Sequence, residues 1–513
     1  MMPTPTTGKN TNHPPIVWTI AASDSGGGAG VQADIKTFFD LGVHGCSAIT
    51  GLTAQNTQGV HQLSVSDNAI FEQQLGVLAS DLPPVAIKIG VLLSAYQVEA
   101  VASIIRQLDT VFVVFDPVLA PTSGIDFSSS AIQASFDQLY PLLDLITPNI
   151  PEAELLTGLT IGKDSDRHAV VDYFLAKGVS SVLIKGGHNK SGEGNTGSKA
   201  DGNPEICQDL LFSHASTYWL TQRQQDTVHS HGTGCVLSAA IAAFVAQDKA
   251  LHDAVVLANA YISRGLRAPV MLDSSGRKRG AVGQTGWPCD LLDFPQVSHS
   301  SDAIFLAPFP VCDTQQLGLY PVIDSLVWLE KLLVIGVKTI QLRVKNQTGG
   351  VLDNTIKQAV ALGKKHDARL FINDYWALAI KYQAYGVHLG QEDMADADVD
   401  AIRAAGLRLG VSTHSEYEFS YAATFKPSYL AIGAIFPTDT KEVVEVGLDN
   451  LYRWATILDR HYPLVAIGGI NPHNIQQVLG SGVGSIAVVS AITRAEDYVV
   501  ATQQLSGWID DTL

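Results

Sequence analysis

From position 16 the chain alternates two kinds of pattern. Short apolar, β-branched runs stand at IVWTIAA (16–22), CSAIT (46–50), VAIKI (85–89), VFVVFD (111–116), DLIT (144–147) and SVLIK (181–185). Among them, apolar residues recur at helical spacing over 31–41, 67–80, 95–108 and 167–177, and again over 235–247. The first pattern has the length of buried strands and the second the period of a helix with one apolar face. Such alternation predicts a parallel sheet covered by helices, because a parallel neighbour is reached only through a crossover. A polar, hairpin-like stretch at 207–226 precedes the last of these helices. Over 273–310 the periodicity is lost and Gly, Ser and Pro accumulate. That places a boundary between a first domain at 14–288 and a second at 312–513, with a linker at 289–311.

The second half is more regular. Strand-like runs fall at 319–323, 339–343, 369–373, 386–390, 407–411, 429–433, 464–468 and 485–489, each followed by a helical segment. Eight such units over roughly 200 residues suit a (β/α)8 TIM barrel, whose active site lies at the C-terminal ends of the strands. The prominent polar residues fall at those ends. Gln341, Arg343 and Lys345 stand at and past the second strand, Asn373 and Asp374 after the third, Asp393 after the fourth and Ser412 after the fifth. Thr438, Thr440 and Lys441 occupy the loop after the sixth, and Gly469 and Ser490 close the seventh and eighth, where barrels often bind phosphate. Asp374 and Asp393 end adjacent strands, so their carboxylates can converge on one Mg2+. Arg343, Lys345 and Lys441 supply charge suited to a diphosphate. Rim salt bridges would explain any one of these residues, but they explain poorly why hydroxyls join them on the same face.

Composition narrows the partners. A formal charge of −17 over 513 residues argues against nucleic acid or an anionic membrane, both of which need a basic face. It does not exclude small anions, which a few placed Lys and Arg can meet. Five scattered cysteines with no CxxC pair fit reduced thiols in a cytoplasmic enzyme. Residues 1–13 read as a disordered tail, and the short apolar run after them is no membrane span. Small molecules and a second copy of the chain are the expected partners.

In the first half, HGTGC at 231–235 opens an apolar helix. Gly232, Thr233 and Gly234 let backbone amides and the positive helix end approach a phosphate. Cys235 lies in the first turn, where a lowered thiol pKa is expected, so that it could take a proton from an attacking hydroxyl. Taken alone, the pattern reads equally well as a capped helix with a buried Cys. Asp24, Gln55, Asp116, Asn149, Glu152 and Lys185 all fall at or just past strand C-terminal ends, where α/β ligand sites form. Residues 28–33 match the start of a dinucleotide fingerprint, but the following strand ends in Gln55 rather than the acid that a ribose needs. His229 and His231 have no third ligand nearby in sequence, so zinc is not expected.

Taken together, ASDSGGGAG (22–30), ADIKTF (33–38), TAQNT (53–57), KIG (88–90), DPVL (116–119), TPNIPEAE (147–154), KGGH (185–188) and HGTGC resemble hydroxymethylpyrimidine/phosphomethylpyrimidine kinase, of the ribokinase-like superfamily. The resemblance implies an α/β/α sandwich using MgATP. It also implies Asp24 and Gln55 on the pyrimidine, Asn149 and Glu152 serving Mg2+ and nucleotide phosphates, Lys185 on the phosphates, and Gly232–Gly234 as anion hole. Pyridoxal stands as an alternative alcohol. In the second half LGLYPVIDS (317–325), QLRVK (341–345), LFINDYW (370–376), GVHLGQED (386–393), GVSTH (410–414), FPTDTK (436–441), VAIGGI (465–470) and VVSAI (488–492) resemble thiamine phosphate synthase. That implies a pyrimidine diphosphate bound by Gln341, Arg343, Lys345, Asn373, Ser412 and Lys441, with Mg2+ on Asp374 and Asp393. A thiazole phosphate would meet Thr438, Thr440, Gly469, Val489 and Ser490. A non-enzymatic sensor would have lost such groups; Cys235, Lys185, Asp374, Asp393 and Lys441 are all present.

Overall fold

The computed structural model describes residues 13–57, 59–119, 127, 129–187, 206–272, 280–302, 306–438 and 445–512. The chain forms two compact units, Met1–Pro288 with Leu292–Ala303, and Cys289–Leu291 with Ile304–Leu513. Among the described residues no helix is long and apolar enough to cross a membrane.

The first unit is built on one ten-stranded sheet. Its strands are β1 (Ile16–Asp24), β2 (His44–Asn56), β3 (Gly59–Val65), β4 (Ala86–Ile89), β5 (Phe112–Phe115), β6 (Leu145–Ile146), β7 (Val182–Ile184), β8 (Ile206–Ser213), β9 (Ser216–Arg223) and β10 (Gln296–Ser298). The spatial order is β10-β9-β8-β7-β6-β5-β4-β1-β2-β3. The strands from β2 to β7 by way of β1 pair in parallel, while the outer strands are antiparallel. The apolar runs read as strands therefore form the buried centre of the expected sandwich. The helix Thr233–Val245 is apolar all round, and every residue from Val236 to Phe244 is buried. A helix of that kind belongs inside a fold.

Two edge strands escape the periodicity reading. β2 runs on past its apolar start into a hairpin with β3, leaving Leu52 and Val65 exposed. β10, inside the expected linker, pairs with β9 through only three residues. An edge strand has one neighbour and much solvent, so it carries too few apolar positions to stand out.

In the second unit β11 (Gly318–Ile323), β12 (Thr339–Leu342), β13 (Arg369–Asn373), β14 (Gly386–Leu389), β15 (Arg408–Thr413), β16 (Tyr429–Ile432), β17 (Leu464–Ile467) and β18 (Ser485–Val488) close into a parallel barrel. β18 returns to β11 through Gly318↔Ser485 and Leu319↔Ile486. The interior is filled by Tyr320, Phe371 and Tyr429, whose ring centroids lie 5.1 to 5.9 Å apart. Large rings need small neighbours. A Cβ at Gly410 would run into the Tyr429 ring, so this glycine makes room for it. We expect Gly410→Ala to destabilise the barrel by about 1–3 kcal/mol, the usual cost of overpacking. A lowered denaturant midpoint at constant slope would register it, and an unchanged midpoint would contradict the packing argument.

Candidate active sites

In the first unit a cavity of ≈ 780 Å³ is lined by Asp24, Gln55, Asn149, Glu152, Lys185 and Gly232 through Cys235, every residue expected of this half. Asp116 lines it too. The volume is that of an ordinary small-molecule site. Topology explains the convergence: β1, β5 and β7 run parallel within one sheet, with β4 and β6 between them, so the turns after them open on one edge.

The Asp24 carboxylate organises the glycine-rich turn that follows β1. It accepts amide hydrogens from Gly26 at 2.8 Å, Gly28 at 3.0 Å and Ala29 at 2.8 Å, and lies 3.4 Å from His231 Nε2. Burial works against its charge, but the bonds from His231, Gly26 and Ala29 win and hold it below its usual range. Amides that would meet a pyrophosphate in a dinucleotide fold are thus occupied by a side chain of the same turn. Gln55 Nε2 lies 3.5 Å from His231 Nε2, which brings both sequence-predicted pyrimidine residues to one imidazole.

The helix Thr233–Val245 starts without a side-chain cap. Its N-cap Gly232 has φ +82°, and a Cβ there would collide with the Gly28 carbonyl, so the position accepts only glycine. Beside this helix end Lys185 Nζ donates to Asp116 Oδ1 at 2.6 Å and lies 4.0 Å from Glu152 Oε2. Burial disfavours the ammonium, yet the two carboxylates together hold Lys185 above its ordinary value. Glu152 is pushed up to about 7, chiefly by burial, with Lys185 pulling the other way. Asn149 and Glu152 form a reciprocal capping box, 2.9 and 2.8 Å, so the NIPE segment is also a helix start. Asp116 Oδ2 is buried with no hydrogen-bond partner. A buried carboxylate oxygen without a donor fits a cation ligand.

One expectation is corrected. Burial pushes the Cys235 thiol up to about 11; Lys88 acts in the opposite sense, and the charges of Asp34 and Asp116 add to the rise. The helix start does not lower it, because desolvation of the half-buried side chain and the nearby carboxylates outweigh the helix end. Near neutral pH, iodoacetamide should therefore modify the exposed Cys289 well before Cys235, with Cys235 reacting faster as pH rises toward 11. Peptide mass spectrometry would reverse this conclusion if Cys235 reacted first.

Lys88 itself was not singled out from sequence. It is fully buried on β4, 2.8 Å from Asp34 Oδ2, which also accepts from Thr19 at 2.5 Å. The available signal was a lysine inside the otherwise apolar run VAIKI.

In the second unit the expected residues gather at the C-terminal mouth of the barrel, except that Thr440 and Lys441 lie outside the described residues. Gln341 and Asn373 are buried at strand ends, and Arg343 is half-buried just beyond. Asp374 takes a left-handed φ of +63°, its amide donating to the His388 carbonyl at 3.1 Å. Lys345 Nζ donates to Asp374 Oδ2 at 2.6 Å. Asp393, in the first turn after β14, is hydrogen-bonded to Asp374; burial and then the Asp374 charge push it above the usual carboxylate range. Two facing carboxylates, with the charge of Asp374 disfavouring ionisation of Asp393, fit a divalent cation between them. Ser412 ends inside β15 rather than after it, and Thr438 follows β16. Gly469 has φ +65° and packs against the backbone of Phe436 and Pro437. Val489 and Ser490 begin the short helix Ser490–Thr493 after β18. His388, Tyr320 and Tyr429, hydrogen-bonded beneath Ser412, were not anticipated as part of the site.

Comparison with known proteins matches each half separately. The phosphomethylpyrimidine kinase model matches residues 24–280, and the thiamine monophosphate synthase model matches 309–492. The thiamine-phosphate synthase of Pectobacterium atrosepticum is 54% identical over 198 residues, covering 38% of this chain and 93% of that protein. That of Yersinia pseudotuberculosis is 56% identical over 193 residues, covering 37% and 89%. Among solved structures, the pyridoxal kinase of Staphylococcus aureus in complex with ADP is 26% identical, covering 56% of this chain and 98% of that one, with TM-score 0.48. The phosphomethylpyrimidine kinase of Clostridium difficile 630 is 34% identical, covering 49% and 98%, with TM-score 0.41.

Proposed function

Since the chain belongs to the phosphomethylpyrimidine kinase family through residues 24–280 and to the thiamine monophosphate synthase family through 309–492, we propose that it makes thiamine phosphate in two stages, one per half. The first stage is ATP-dependent phosphorylation of 4-amino-5-hydroxymethyl-2-methylpyrimidine and then of its monophosphate. The second is Mg2+-dependent condensation of that diphosphate with 4-methyl-5-(2-phosphoethyl)thiazole, releasing pyrophosphate. The observation that carries the reading is the gathering of Gln341, Asn373, Asp374, Asp393 and Ser412 on one mouth of a closed parallel barrel.

In the first site the uncapped amides at Gly232–Gly234 and the Lys185 ammonium face the transferring phosphoryl group, where negative charge builds. Asp116, with Asn149 and Glu152, would hold Mg2+; in the barrel Asp374 and Asp393 would do so. Mg2+, when bound, supplies positive charge to phosphate oxygens at either site. Gln55 meets the pyrimidine more directly than Asp24, whose oxygens already accept three amides. Cys235 takes the hydroxyl proton only through its minor thiolate form, since the neutral thiol already carries a proton. A loose phosphoryl transition state needs little preformed alkoxide, so the proton leaves late and the small thiolate fraction of a thiol at about 11 is enough to receive it.

In the second site Gln341, Asn373 and Ser412 orient the aminopyrimidine, while Arg343, Lys345 and Lys441 neutralise the diphosphate. Thr438, Thr440, Gly469, Val489 and Ser490 hold the thiazole phosphate. The C–O bond to pyrophosphate breaks, the electron-rich ring carries the methylene cation, and the thiazole nitrogen lone pair forms the new C–N bond. No protein nucleophile is required. The test is a one-pot reaction of the full chain with the pyrimidine alcohol, thiazole phosphate and MgATP, reading thiamine phosphate. Product only when ready-made diphosphate is supplied would overturn the kinase assignment and leave the barrel one standing.

A further inference from the structure

The barrel interior holds a polar chain ending on Ser412, and the condensation assigns no role to its other members, Tyr320, Tyr429 and His388. Tyr320 Oη lies 2.8 Å from Tyr429 Oη, which lies 2.7 Å from His388 Nδ1, and His388 Nε2 lies 2.9 Å from Ser412 Oγ. These groups come from β11, β16, β14 and β15. Tyr320, Tyr429 and His388 are 1%, 0% and 6% exposed, so water does not compete for them. Gln341 on β12 bonds to both tyrosine hydroxyls. The His388 and Tyr429 rings are stacked at 5.7 Å with planes 20° apart, which fixes the imidazole against rotation.

Apolar side chains fill most barrel interiors at lower desolvation cost. A buried polar chain is stable only when every member is satisfied, and it then rigidifies what it touches. Here the chain leads from the barrel floor to the mouth through Ser412. A serine hydroxyl otherwise has three rotamers and a rotating O–H. With His388 Nε2 at 2.9 Å, one rotamer and one hydrogen direction are selected. A neutral imidazole offers one N–H and one lone pair, so a single tautomer orders every hydroxyl along the line.

Building on the pyrimidine-diphosphate reading of this site, we propose that His388, braced by Tyr429 and Tyr320, is a positioning residue that fixes the Ser412 hydroxyl for recognition of the aminopyrimidine. It does not touch the departing pyrophosphate or the thiazole. Its loss therefore weakens pyrimidine recognition specifically.

The experiment uses the full chain with pyrimidine diphosphate, thiazole phosphate and Mg2+. Variants are His388→Leu, Ser412→Ala and their combination, with Tyr429→Phe as the gentler second probe. His388→Leu should raise KM for the pyrimidine diphosphate about 10-fold, the scale of one hydrogen bond, with KM for thiazole phosphate unchanged. In the Ser412→Ala background it should add no further loss, since a residue acting through another is not additive with it. Tyr429→Phe should move the same constant in the same direction by less. Equal fold-losses with and without Ser412, or a rise in both KM values together, would mean a general packing role and overturn the proposal. If His388→Leu fails to fold, an unchanged KM in Tyr429→Phe overturns it equally. A wild type inactive with these two substrates would instead bring down the underlying reading.

Discussion

Replacing Asp374 by Ala should stop the condensation while leaving phosphorylation intact, so that pyrimidine diphosphate accumulates and thiamine phosphate formation falls by about 10²–10³-fold, as for loss of one preorganised charge-stabilising group. Asp374 is held by three independent features: a left-handed backbone, an amide bonded to the His388 carbonyl, and a carboxylate shared between Lys345 and Asp393. Removing it leaves one carboxylate where two converged, and a single carboxylate ligand holds Mg2+ poorly. It also releases Lys345 from its anchor. Asp374→Asn keeps the shape and removes the charge, so a comparable loss would assign the effect to electrostatics. Separation of the pyrimidine phosphates from thiamine phosphate by chromatography reads all three outcomes. Near-normal product from Asp374→Ala would remove the acidic pair from the mechanism.

Lys185→Ala should act on the other half. Phosphorylation of the pyrimidine alcohol should fall by about 10²–10³-fold, while ready-made diphosphate is still condensed at the wild-type rate. Lys185 is the cation between Asp116 and Glu152 at the uncapped start of Thr233–Val245. Without it the helix amides face two carboxylates with no intervening positive charge, a poor environment for an incoming triphosphate. A change confined to KM for ATP would make Lys185 a ground-state binding group, whereas an equal fall in kcat and kcat/KM would place its contribution in the transition state. Unimpaired phosphorylation would refute its assignment.

The barrel was legible in unusual detail. Its eight strand runs, read from apolar period alone, overlap all eight strands of the closed sheet, because each strand is a short buried segment bounded by polar loops. In a parallel barrel the chain enters every strand from the same side, so a polar residue just after a strand must lie at the mouth. That is why Asn373, Asp374 and Asp393 were found without coordinates. The first-half sheet was legible at its centre and not at its edges, where β3 and β10 bury too little to leave a pattern.

What the order of residues determined, then, was which segments become strands, which end of each carries chemistry, and which families the motifs match. What only the folded chain decided was the environment of each group. Cys235 looked activated because its own helix is local. Its thiol is raised because a pocket wall and the carboxylates of Asp34 and Asp116 arrive from distant segments. Asp24 looked directed at substrate, yet its oxygens are taken by the amides of its own turn. His388 looked like one more strand residue until Tyr320, Tyr429 and Ser412 closed around it from three other strands. Periodicity records neighbours along the chain, whereas charge and hydrogen bonding act over a few ångströms in space and sum over everything packed there.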